Sequence, residues 1–218
     1  MFARWRKVRA DRRLWRQAAS LDQLGELMAR WLEGDLTSWP GYAVASPDEE
    51  TADLVPVLAR ANRAGFVTDA SQPACDEVGA SGRRWRQRAA VCGLVGDEEL
   101  LNALARVAEA HRLTILVRTV DEDSRRPGIT VTQVDGEAYT AFGGRLTRSE
   151  LQHVWLGTSW SALAEIEAAW QVTLIDPMYG RDNRLWTALD EAIDLLNEVP
   201  NPPYDPPVGT TWTEWHGA

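Results

Sequence analysis

The stretch GFVTDASQP, Gly65 to Pro73, breaks from a short apolar run into Thr68, Asp69, Ser71, Gln72 and Pro73. Clustered hydroxyl and carboxamide groups suit hydrogen bonding to a polar ligand, but the same residues serve a strand that runs into a turn. Local sequence leaves both readings open. Other chemistry is sparse. No GxGxxG, Walker loop, GxSxG or HExxH occurs, and His111, His153 and His216 are far apart. Cys92 sits in a strand pattern as a small apolar group, and Cys75 lies in a loop without a visible activating partner. The runs Asp48–Glu50, Asp97–Glu99 and Asp121–Asp123 read as helix starts or solvated turns. No cysteine or histidine spacing suggests a metal site.

The elements that must position these groups alternate. SLDQLGELMARWLEG places Leu21, Leu24, Leu27, Met28, Trp31 and Leu32 at helical spacing, with Gly34 as the stop. TADLVPVLARANRAG predicts a second helix, and Pro56 confines its start so that Asp53 is the expected cap. GFVTD reads as a short strand. After a Gly/Ser/Arg-rich loop, QRAAVCGLV reads as a second strand, followed by a helix capped by Asp97 and a strand LTILVRTV. ITVTQV and EAYTAF flank Asp135-Gly136, a hairpin signal because that pair accepts positive φ. SALAEIEAAW predicts a helix, QVTLID a strand, and RLWTALDEAIDLLNE a closing helix. The fold class is therefore α/β (α+β) with mixed sheets. Residues 1–19 form a basic arm, 20–199 the body, and 200–218 a Pro-rich extended tail.

Composition narrows the function classes. The 218 residues are 44% hydrophobic, enough for a packed interior, and a net charge of −9 argues against bulk electrostatic binding of nucleic acid. The first 16 residues are the exception, with Arg4, Arg6, Lys7, Arg9, Arg12, Arg13 and Arg16 against Asp11 alone. Such an arm suits nucleic acid, an anionic surface or an acidic partner, or is simply a solvated helix. Neither a signal peptide nor a run of roughly 20 apolar residues is evident, and the two cysteines do not suggest a disulfide scaffold, so a cytoplasmic protein without membrane contact is expected. The 11 tryptophans read first as core.

The order of the motifs resembles the C-terminal regulatory domain of eukaryotic methylenetetrahydrofolate reductase. The matching residues are Glu50 and Thr51 before a helix; Asn62, Gly65, Thr68, Ser71, Gln72 and Pro73; Gln87, Arg88 and Ala89; and Asp182, Asn183, Leu185 and Trp186, across roughly Ser20 to Asn197. The resemblance implies two side-by-side sheets surrounded by helices, and binding of S-adenosylmethionine in competition with S-adenosylhomocysteine. Carried over position by position, it implies ligand contacts from Glu50, Thr51, Thr68, Ser71 and Thr140. Asp69-Ala70 stands where that family usually has Ile-Asn, and the segment from Gly144 to Trp170 is shorter, leaving Thr158 as a loose counterpart of a further threonine. The flavin-binding barrel, which needs about 250 residues, is absent, so folate reduction is not expected.

Three functions follow as expectations. The first is a free-standing binder of the adenosyl ligand, acting as sensor, trans-regulator or ligand sink, with a protein partner or homodimer and no metal or flavin. The second is an enzyme that consumes S-adenosylmethionine by lyase, hydrolase or transfer chemistry, with Glu50, Asp69 or Tyr139 as a general base. The third is a nucleic-acid or partner adaptor acting through residues 1–16.

Overall fold

The structure, a computed structural model, describes residues 2–40, 46–121, 127–197 and 215–216. Most of the Pro-rich tail, part of the WPGYAVASPDEE link and part of the DEDSRRPG turn lie outside them.

The fold is mixed α/β, with two antiparallel sheets. The larger orders β1 (Phe66–Gln72), β4 (Ala90–Val95), β8 (Trp170–Ile175) and β5 (Thr114–Arg118), with the two-residue β9 (Trp215–His216) beyond β5. The smaller orders β2 (Cys75–Val78), β3 (Arg84–Gln87), β6 (Ile129–Val134) and β7 (Glu137–Phe142). The expected single strand QRAAVCGLV is two strands, β3 and β4, in different sheets. The Gly/Ser/Arg-rich loop before it closes the β2–β3 hairpin. At the β6–β7 turn, Asp135 and Gly136 have φ of 54° and 88°, the conformation that pair was expected to supply.

One face of the larger sheet is covered by amphipathic helices. α2 (Leu21–Leu32) and α3 (Val55–Arg63) cross closely because Gly25 has no side chain; a Cβ there would stand 2.2 Å from the Asn62 carbonyl oxygen. α4 (Glu98–Ala110), capped by Asp97 through the Glu99 and Leu100 N–H groups, packs on α7 (Asn183–Leu195). The core runs through Leu24, Met28, Leu58, Phe66, Leu104, Leu174 and Leu189. Asp53 does not cap α3. A 3-10 turn, Glu49–Leu54, leads directly into it, and Pro56 occupies the first turn, where no N–H partner is needed.

The basic arm is part of the fold. α1 (Phe2–Gln17) buries Val8, Asp11 and Trp15 and leaves Arg6, Arg9, Arg12, Arg13 and Arg16 exposed. The Trp15 indole donates to the Ser38 carbonyl at 2.8 Å. Asp11 accepts from the Thr37 N–H and hydroxyl at 2.8 and 2.6 Å. Two short helices, α5 (Arg148–Val154) and α6 (Trp160–Ala168), complete the chain before β8. No helix among the described residues is long and apolar enough to cross a membrane.

Candidate functional site

The site is organised by an irregularity in β1. Phe66, Val67 and Thr68 pair with Val95, Leu94 and Gly93, but Ala70 pairs with Cys92, so Asp69 is an extra residue in the ladder. Regular alternation places Thr68 and Ser71, three residues apart, on opposite faces. The bulge shifts the pairing by one, which brings Thr68 and Ser71 to the same side, above Met28 and Trp31 of α2. Asp69 and Ala70 are left between two cavities.

The smaller cavity, about 290 Å³, is lined by Thr51, Thr68, Ser71, Asp48, Trp31 and Trp39, among others. Three of the five expected contacts, Thr51, Thr68 and Ser71, thus converge from separate segments. Thr68 is held from behind. Its Oγ1 accepts from the Asn62 side-chain amide at 2.7 Å, its N–H donates to the Asn62 Oδ1 at 3.0 Å, and that amide also donates to the Leu58 carbonyl. With one acceptor site filled, the hydroxyl proton and a second lone pair of Thr68 are left for a ligand. Glu50 and Thr140 are exposed and line neither cavity. Glu50 stands on the 3-10 turn and Thr140 on β7, which among the described residues pairs on one side only.

The larger cavity, about 640 Å³, opens between the two sheets and shares Trp39, Asp69 and Ala70 with the smaller. Its floor is a row across three strands, Ala70–Cys92–Thr173, in register. Gly143, at φ 79°, closes one side, and a Cβ there would meet Leu116 at 2.4 Å. Thr173 donates to the Cys92 Sγ at 3.2 Å. Gln171 closes both ends of its amide on the Leu146 backbone, at 2.7 and 2.8 Å. Both pockets fall at the scale of small-molecule sites or just below it, about 300–1,000 Å³.

Burial in this cleft pushes the Asp69 carboxyl from its ordinary 3.8 up to about 6, against the opposing pull of the Asp69 and Ala70 backbone N–H groups. Burial and the neighbouring Asp69 charge push the Cys92 thiol up to about 12. Burial and the nearby Glu77 raise Cys75 as well, and its Sγ donates to Gln87 at 3.2 Å. Neither thiol is poised as a thiolate.

Other motif residues hold the frame. Gln72 donates to the Arg88 carbonyl at 2.9 Å and accepts from the Thr132 hydroxyl at 3.2 Å, joining the sheets. Asp182 accepts from the Ala74 N–H and the Trp186 indole at 2.8 and 3.0 Å, tying the segment after β1 to α7. Sequence reasoning did not single out Trp39, Cys92, Thr173 or Gly143 as cleft residues. Their signals are small polar residues inside otherwise apolar strands, in AVCGLV and QVTLI, and a Gly-Gly pair after a strand, which permits close backbone approach. Among the described residues, no group of three or more His, Cys, Asp or Glu is placed to hold a metal ion.

No curated protein matches the chain. A family model described as a domain of unknown function, DUF6919, matches residues 10–196, which takes in the second half of α1, strands β1 to β8 and α7. The chain belongs to that family.

Proposed function

We propose that the cleft around the β1 bulge binds S-adenosylmethionine or S-adenosylhomocysteine, and that the protein is a free-standing binder of this ligand. The observation that carries the reading is the convergence of Thr51, Thr68 and Ser71 on one cavity that adjoins a second, the two sharing Trp39, Asp69 and Ala70 in their walls. The divided shape suits a two-part ligand. The hydroxyls of the smaller cavity match the donors and acceptors of a nucleoside, and the carboxylate beside Trp39 matches a charged amino-acid arm. Binding without turnover is favoured because two of the three expected general bases, Glu50 and Tyr139, line neither cavity, and neither cysteine is an activated nucleophile.

Calorimetry of purified protein against both ligands tests the proposal. Saturable heat supports it, and no heat or thermal shift at millimolar ligand overturns it. Mass spectrometry of the incubated ligand separates a binder, which returns it unchanged, from an enzyme. A role for α1 in nucleic-acid binding is best tested by neutralising Arg6, Arg9 and Arg13, because deleting residues 1–16 also removes the buried Trp15 and Asp11.

A further inference from the structure

Asp69 is out of balance with its surroundings. It is the unpaired residue of the bulge, stands on the wall common to both cavities, and forms no ion pair among the described residues. Only the Asp69 and Ala70 backbone N–H groups offset its loss of water. The neighbouring polar groups are already occupied: Gln171 by Leu146, and the Thr173 hydroxyl by Cys92. The other titratable groups on the cavity walls are Cys92 on β4, His153 on α5, which is exposed, and Asp48 in the smaller cavity. A carboxylate half withdrawn from water, as Asp69 is, without a cation of its own destabilises the fold until a cation arrives. Trp39, whose ring packs against Trp31 at 5.6 Å between centroids, lines the same cavity, and an aromatic ring attracts such a cation.

We propose that Asp69 is the cation-binding group of the cleft, and that it selects ligands carrying an ammonium or sulfonium centre in the larger cavity beside Trp39. This rests on the adenosyl reading for its choice of ligand, and adds which group meets the charge. Asp69 then acts by charge, whereas Thr51, Thr68 and Ser71 act by hydrogen bonds to the uncharged part. Discrimination between charged and neutral adenosyl compounds therefore resides in one side chain.

The test compares the full chain with its D69N variant by calorimetry against three compounds: S-adenosylmethionine, with sulfonium and ammonium; S-adenosylhomocysteine, with the ammonium alone; and 5′-methylthioadenosine, with neither. S-methylmethionine, which has both cations and no adenosine, is followed by thermal shift. The expected result is a loss of about tenfold or more in S-adenosylmethionine affinity in D69N, with methylthioadenosine unchanged. Equal weakening of all three compounds, or an unchanged S-adenosylmethionine affinity in D69N, overturns the inference while leaving the adenosyl reading intact. An S-methylmethionine shift that depends on Asp69, with no adenosyl compound binding, overturns the adenosyl reading and supports the cation site. Binding of none of the four to the wild-type protein overturns both.

Discussion

Replacing Asp69 by Asn is expected to stabilise the free protein, and the gain should depend on pH in a defined direction. The carboxyl titrates near 6 in the fold against an ordinary 3.8, because burial disfavours its charged form. Below about pH 4 the group is protonated whether the chain is folded or not, so it contributes nothing to the balance. Between about 4 and 6 the unfolded chain loses the proton while the folded one retains it, so stability falls as pH rises. Above about 6 the full cost is present. The displacement corresponds to about 3 kcal/mol at most, and partial exposure of Asp69 reduces the expected effect to about 1–2 kcal/mol. For a chain of this size that is a rise in Tm of about 2–8 °C at pH 7. Asn preserves the shape and the carbonyl acceptor facing the Ala70 N–H, so the comparison isolates charge. The Cys92 thiol, pushed up to about 12 by burial, stays protonated across this pH range in wild type. Calorimetric melts of wild type and D69N at pH 7, 6, 5 and 4 provide the assay. A D69N protein less stable than wild type at pH 7, or a difference that does not shrink toward pH 4, refutes the reasoning.

Further consequences concern the support of the bulge. Asn62→Leu leaves the buried Thr68 N–H without its acceptor and removes the donor to Thr68 Oγ1, and should lower stability by about 2–4 kcal/mol, read as the urea midpoint. Thr68→Val retains the volume but loses the hydroxyl, so ligand affinity measured by calorimetry should fall about five- to tenfold, with stability reduced by about 1 kcal/mol. Gly25→Ala drives a Cβ against the Asn62 carbonyl, 2.2 Å away, and should cost about 2 kcal/mol or more by separating α2 from α3. A variant that melts at the wild-type temperature would show that this crossing yields more easily than the geometry requires.

Much of the fold is legible in the residues. The apolar periodicity of α2, α4 and α7 marks the faces that cover the larger sheet, because a helix of mixed composition has only one way to bury its apolar stripe. Asp97 and Asp135-Gly136 announce a cap and a turn through strictly local backbone chemistry. The expected start of α3 at Asp53 and the single strand across QRAAVCGLV differ from the structure for a shared reason. A 3-10 turn joined to a helix, or two short strands separated by Arg88-Ala89, has almost the same local pattern as one longer element.

The candidate site divides along the same line. Residue type and order alone mark Thr51, Thr68 and Ser71 as hydrogen-bonding groups flanking an apolar strand, and Asp69 as a charge among them. Side-chain alternation would have scattered them over two faces. Only the pairing of β1 with β4, in which Asp69 is left without a partner residue, turns Thr68 and Ser71 to one cavity and sets the carboxylate between two. That register is decided by what β4 offers across the ladder, Gly93 against Thr68 and Cys92 against Ala70, and no stretch of β1 by itself contains that information.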